Sequence, residues 1–136
     1  MTHPPRLPDW QHRLSSYVFE RASQPVDPDR PVCAEFTAGA VEAMTGAEIG
    51  IAWRDRYPTV KAGLKALRAE GYPDHVALLA DMFAPIPAAF ACPGDIAVLP
   101  EAGGAAVLGV VQGALIYVQT PNGIGTVPLT TAVAAF

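Results

Sequence analysis

Cys33 is the residue best placed to carry chemistry. It follows Pro31, a residue tolerated in a first helical turn, at the start of an apolar stretch that ends at Gly46, a typical helix stop. The apolar positions of this stretch recur at steps of three and four and predict a helix with one buried stripe: Cys33, Phe36, Ala40 and Ala43. A thiol in the first turn lies near unpaired backbone N–H groups, which favour the thiolate. Cys33 is therefore a candidate nucleophile, and its alternative role is that of a small buried hydrophobic residue.

Composition excludes several function classes. The chain has 136 residues, of which 51% are hydrophobic and 16% charged, which suits one domain with a substantial core. A net charge of −4 gives no reason to expect nucleic acid as a partner. Two cysteines and three scattered histidines indicate neither a disulfide framework nor a metal site. Gly103-Gly104 is not followed by the helix of a phosphate loop, so we expect no cofactor.

The chain shows no targeting or spanning segment by pattern. No apolar run approaches the roughly 20 residues that a membrane-spanning helix needs. Residues 1–6 lack the apolar core of a signal peptide, so we expect a protein made and kept in the cytoplasm or packed into an assembly there. The apolar surplus hints at a surface covered by a partner.

Periodicity divides the single predicted domain, residues 1–136, into three parts. Residues 1–8 are rich in proline and predict a loosely packed arm. Residues 9–83 have helical periodicity, and they predict helices over 9–22, 31–46, 47–55, 60–70 and 74–82. Residues 94–136 predict an antiparallel, barrel-like meander with strands over 95–100, 105–111, 114–119 and 124–129. The fold class is therefore α+β.

Other chemically capable residues have simpler structural roles. His3, His12 and His75 are expected at the surface, Cys92 is expected to be an inert thiol, and Asp95 is expected to cap a turn at the start of a strand. The aromatic residues at helical positions are expected to be core or interface anchors: Trp10, Trp53 and Tyr57. Two charged groups are expected to be solvated helix surface: Arg54-Asp55-Arg56, and Lys61, Lys65 and Arg68.

The order of motifs resembles the NlpC-type branch of the papain-like cysteine peptidases and amidases. Cys33 matches the position of the nucleophile, 94–98 (Gly-Asp-Ile-Ala-Val) match the first-strand motif, and 108–110 (Leu-Gly-Val) match part of the motif that carries the catalytic histidine. Residues 7–10 (Leu-Pro-Asp-Trp) and 38–46 look still closer to uncharacterised relatives found among the tail genes of phages and prophages. The resemblance covers most of the chain and implies a papain-like domain.

The departures from this pattern concern the catalytic groups. Val107 stands where the family has its histidine, and Pro31 and Val32 stand where the relatives have His-Asp. Tyr117 or Gln119 could supply the third polar residue of the family's site, but there is no histidine for it to orient. Removing one member of such a triad typically costs orders of magnitude in rate. Cys33 is thus predicted to be a vestigial nucleophile in a protein without enzymatic activity.

Taken with the resemblance, these departures predict a catalytically degenerate domain that acts as a structural component of a phage or phage-like tail tip. The implied partners are other tail-tip and hub proteins, and the implied location is the virion tail, assembled in the host cytoplasm. The alternative is an active cysteine peptidase or amidase that cleaves cell-wall peptides and contacts peptidoglycan. A third possibility is a small-molecule-binding module that reuses the cleft.

Overall fold

Helices precede a sheet in the computed structural model, which describes residues 4–27, 29–49, 59–102 and 105–136. The helices of this part are α1 (Trp10–Ala22), α2 (Val32–Thr45), α3 (Val60–Ala69) and α4 (His75–Met82). The strands are β1 (Ile96–Ala102), β2 (Ala105–Val111), β3 (Leu115–Thr120), β4 (Gly123–Pro128) and β5 (Ala134–Ala135), with 3-10 turns at Ala88–Phe90 and Leu129–Thr131. The predicted α+β class is confirmed.

The helix ends follow the sequence signals. The Thr59 hydroxyl accepts a hydrogen bond from the Ala62 N–H at 3.1 Å, and the Asp74 carboxylate accepts one from the Ala77 N–H at 2.9 Å. Gly46 ends α2 in the left-handed region, with φ of 75°. The helix predicted over 47–55 falls mostly on residues 50–58, which lie outside the described residues, and 47–49 form no helix.

The sheet is antiparallel, with strand order β4-β3-β2-β1-β5. Side chains alternate between its two faces because successive strand residues point in opposite directions. Ile96, Val98, Leu108 and Val110 pack against the helices. The other face carries a separate buried cluster: Ala97, Leu99, Val111, Ile116 and Val118. α2, which carries Cys33, therefore lies on the sheet face formed by Ile96, Val98, Leu108 and Val110.

α1 and α2 pack closely on that side. The rings of Tyr17 and Phe36 stack with centroids 5.6 Å apart, and the Tyr17 hydroxyl donates to the Phe36 carbonyl at 2.8 Å. Gly39 lies under the Tyr17 ring, where an added Cβ would overlap the phenol. The small residues of α2 thus let a large aromatic ring approach the helix backbone.

The N-terminal arm is anchored to the sheet half of the protein. The Leu7 N–H donates to the Met44 carbonyl at 2.8 Å. The Arg6 guanidinium donates to the Pro93 carbonyl at 2.9 Å and to the Asp95 carboxylate at 3.0 Å. It also lies over Trp10, 4.4 Å from the ring centroid. The prediction of loose packing is therefore wrong for Arg6 and Leu7, because a buried acceptor and an aromatic face hold the guanidinium.

None of the helices in the described part of the chain has the length and apolar character that crossing a bilayer requires.

Candidate functional site

Cys33 lies on the first turn of α2, as predicted, but its thiol is not activated. Burial raises the pKa of the Cys33 thiol, and this outweighs the opposing effect of backbone N–H groups at Leu108, Ala34 and Cys33 itself. The residue as a whole is half-buried and forms no disulfide. The thiol is therefore protonated at neutral pH, and the helix start does not produce the thiolate that a cysteine nucleophile needs.

The Cys33 thiol faces a part of β2 that pairs with β1 but not with β3. The Val111 N–H donates to Asp95 on the β1 side, and the Gln112 N–H donates to Leu115 on the β3 side. Because these directions alternate along a strand, the backbone groups of Ala106 and Leu108 face the β3 side. Pairing between β2 and β3 is recorded at Val110↔Tyr117 and Val111↔Ile116. Ala106 and Leu108 lie beyond that pairing, where other groups take the place of β3.

The His75 ring binds the backbone of Ala106 on this edge of β2. Its Nε2 lies 2.7 Å from the Ala106 carbonyl oxygen. A carbonyl oxygen only accepts, so Nε2 carries the proton and is committed to this bond. Only 7% of the residue is exposed, and burial lowers the pKa of its imidazole despite the Ala106 bond and the charge of Asp74. His75 is thus a neutral, buried histidine.

The predicted surface position of His75 is therefore wrong. His75 is the first residue of α4, and its Asp74 cap sets the helix so that this first side chain is directed towards β2. The other two histidines do not join it: His12 is exposed on α1, and His3 lies outside the described residues.

Cys33 and His75 contact the same edge of β2, at Leu108 and at Ala106, but do not contact each other. The groups that shift the Cys33 pKa are backbone atoms and burial, and those that shift the His75 pKa are burial, Ala106 and Asp74. Neither titration involves the other side chain. Within the described ranges, the arrangement is two neutral groups held at neighbouring backbone positions, not a thiolate–imidazolium pair.

Val107, which the sequence resemblance aligned with a catalytic histidine, faces away from Cys33. Its side chain packs against the cluster on the sheet face opposite the helices, while Ala106 and Leu108 on either side pack towards the helices. A base carried by residue 107 would therefore lie on the far side of β2 from α2. The strand orientation therefore does not serve a base at this position.

The two candidates for a third polar residue both lie on the helix-facing side of β3. Tyr117 packs against the α1–α2 cluster. Gln119 is 4% exposed; its amide nitrogen donates to the Thr120 carbonyl at 3.0 Å, and its buried oxygen has no hydrogen-bond partner. The imidazole they would orient is bound to Ala106 instead, so neither completes a catalytic arrangement.

The space beside the Cys33 turn is small and apolar. A cavity of about 20 Å³ is lined by Ala34, Thr37, Ala38, Ile49, Leu79, Met82, Ile96 and Leu108. The buried Thr37 hydroxyl, which has no hydrogen-bond partner, is its one polar side-chain group. That volume is on the scale of a single water molecule, so it does not hold a peptide substrate.

Of the remaining candidate residues, Asp95 has structural partners and the charged residues of α3 face solvent. Asp95 accepts from the Cys92 N–H at 2.7 Å, which confirms its predicted role in the turn, and also from Arg6 at 3.0 Å. Lys61, Lys65 and Arg68 are exposed on α3, whereas Trp53, Tyr57 and 54–56 lie outside the described residues. In the described part of the chain, no three His, Cys, Asp or Glu side chains come together as a metal site.

Comparison with curated proteins and with solved structures gives no match. Residues 5–136 match a family model described as Domain of unknown function (DUF6950). Because the match spans nearly the whole sequence, the chain belongs to this family.

Proposed function

We propose that this chain is an NlpC-type papain-like domain that has lost hydrolytic activity and serves as a structural component of a phage or phage-like tail tip. The observation that carries the first half of the proposal is the state of Cys33: a protonated, buried thiol with no imidazole bound to it. The second half is supported by the order of sequence motifs, from Cys33 through 94–98 to 108–110.

Cysteine hydrolysis needs two proton movements that this site does not supply. The thiol must lose its proton to become a nucleophile, and the leaving amine must receive one. His75 holds the proton of Nε2 on the Ala106 carbonyl, and burial lowers the pKa of the imidazole, which disfavours its charged form. The position that the family gives to the base carries Val107, whose side chain is on the other sheet face. These features favour a non-catalytic role.

A structural role agrees with how charge is distributed. The chain carries 9 Lys and Arg and 13 Asp and Glu, but only Asp95 and Glu101 lie in its last 55 residues. Depletion of charged side chains is the composition that distinguishes the core of a protein–protein interface from free surface. The sheet half of the chain therefore suits contact with neighbouring subunits.

A second candidate function rests on His75. It lies at Ala106, two residues from Leu108, on the strand edge that faces Cys33. If the His75 ring released the Ala106 carbonyl, it would be the imidazole nearest to the Cys33 thiol along this edge, among the described residues. The candidate is an active peptidase or amidase that uses His75 as its base.

The catalytic half is tested by measuring amine release from peptidoglycan-derived peptides. We expect no turnover above that of Cys33→Ala. Turnover that disappears in Cys33→Ala would overturn the proposal. If His75→Gln then also abolished turnover while His12→Gln kept it, the second candidate would stand.

The assembly half is tested separately by mixing the purified chain with phage tail-tip and hub proteins. We expect co-elution with at least one of them in size-exclusion chromatography. Failure to bind any of them, with the fold verified by circular dichroism, would contradict the tail-tip role whatever the outcome of the cleavage assay.

A further inference from the structure

β4 leaves a regular row of backbone groups at the edge of the sheet. It pairs with β3 from Leu115↔Pro128 to Thr120↔Gly123. The Leu115 carbonyl accepts from β2, so residues 115, 117 and 119 of β3 face β2, and 116, 118 and 120 face β4. Their partners on β4 are 127, 125 and 123. Ile124 and Thr126 therefore direct their N–H and C=O groups outward, away from the sheet.

This edge lacks the charged side chains, bulges and internal prolines that usually protect edge strands, and α1 contacts it only from one face of the sheet, through Ile124. Natural edges are blunted by charged side chains, bulges, prolines or very short strands. β4 has six residues, no charged side chain and an unbroken register with β3, and its one proline is its last residue. The opposite edge, β5, has two residues and is flanked by a bridge between Ile86 and Ala135. β4 is thus the edge on which another strand can add.

Gly125 is not explained by the fold of one copy. Its φ lies outside the left-handed region, and an added Cβ would meet only the Thr120 Cγ2, at an ordinary 3.8 Å. Glycine within a strand often marks the close approach of another backbone. Gly125 lies between the two outward-facing residues, which is where a strand paired to β4 would come closest.

Charge favours a second copy of this chain as the occupant. Residues 102–136 contain no Lys, Arg, Asp, Glu or His, so two copies that meet along β4 bring no like-charged side chains of these segments together. An identical uncharged strand also offers the same spacing of outward N–H and C=O groups. A partner recognised through charge would find nothing on this edge to bind.

We propose that two copies pair antiparallel through β4 about a twofold axis at Gly125. Ile124 of each copy lies opposite Thr126 of the other, and their outward N–H and C=O groups form four hydrogen bonds that join two five-stranded sheets into one. The pairing uses neither Cys33 nor His75, so it stands or fails independently of the function proposed above.

Sedimentation equilibrium of the purified full chain tests this pairing. We expect the wild type to dimerise, and Thr126→Pro, which removes one outward N–H from each copy, to weaken the dimer by about 30-fold or more. Thr126→Lys places a charge on the edge and should also give monomers. Thr130→Lys, the same change at an exposed residue outside the strand, should leave the dimer unchanged.

A monomeric wild type at all concentrations would overturn the proposal. So would a dimer that both Thr126 variants leave intact, because the contact would then lie on another surface. If Thr126→Pro fails to fold by circular dichroism, Thr126→Lys alone decides, and a dimer as tight as that of the wild type refutes the β4 pairing.

Discussion

The reactivity of Cys33 towards an alkylating reagent should separate an inert core thiol from a catalytic one. Alkylation requires the thiolate, and about 3% of unperturbed thiols are ionised at pH 7. Because burial raises the pKa of Cys33, its ionised fraction at pH 7 falls below that value. Catalytic cysteines have pKa values of about 3.5–7.5 and are therefore about one quarter ionised or more at pH 7. The two interpretations therefore differ by at least about tenfold in rate at neutral pH.

The assay follows iodoacetamide labelling by mass spectrometry in a Cys92→Ser background, since Cys92 is the exposed thiol. We expect the labelling rate of the folded chain to rise steadily with pH up to about pH 9, without an earlier plateau. His75→Gln should leave the profile unchanged because the imidazole does not take part in the Cys33 titration. A plateau below about pH 7.5 that His75→Gln abolishes would refute the reasoning.

Three further predictions concern stability. Arg6→Ala should lower the free energy of unfolding by about 1–2 kcal/mol, since two hydrogen bonds and a cation–π contact are lost, and thermal melting measures this. Burial lowers the pKa of His75, so as the pH falls the unfolded chain binds this proton before the folded chain does. The free energy of unfolding should therefore be highest above about pH 6.5 and should fall as the pH drops below that value. Urea titrations at several pH values measure this slope, which His75→Gln should remove and His12→Gln should not. Gly109→Ala should cost about 1–3 kcal/mol, because a Cβ there would lie 2.5 Å from a side-chain carbon of β3. Gly113→Ala, where an added Cβ would meet nothing within 4 Å, is the control, and equal losses at the two glycines would contradict the packing.

Local signals predicted most of the element boundaries. α2 begins after Pro31 because proline is tolerated in the first turn of a helix but not in its interior. It ends at Gly46 because glycine readily adopts the left-handed conformation. Thr59 and Asp74 each cap the helix that follows because a short side-chain oxygen reaches the N–H three residues on. β1 to β4 were predicted to within a residue or two by apolar runs between glycine and proline turns. These features depend on residues close together in the sequence, so they can be predicted from it.

The candidate site could be predicted only in part because it depends on contacts between distant segments. Cys33 was placed correctly on its helix, but its pKa depends on burial and on the backbone N–H of Leu108 in β2, 75 residues later. His75 has a polar cap before it and was expected at the surface, yet α4 docks so that its first side chain meets the Ala106 carbonyl. Arg6 was expected in a loose arm, and its anchor is Asp95. No local pattern encodes which distant carbonyl or carboxylate a side chain will meet.

The absence of a base and the burial of the thiol reinforce each other. A catalytic cysteine has to be charged during the reaction, and a charge in an apolar site is costly, so a working nucleophile needs polar neighbours and access to its substrate. A protonated thiol is a small hydrophobic group that can be buried at little cost. Val107 faces away from α2, so the described residues place no base beside Cys33, and the cavity lined by Ala34, Thr37 and Leu108 has room for little more than one water. Hydrolysis at Cys33 would therefore take more than a histidine at 107: β2 would have to turn its faces and the apolar packing around the thiol would have to open.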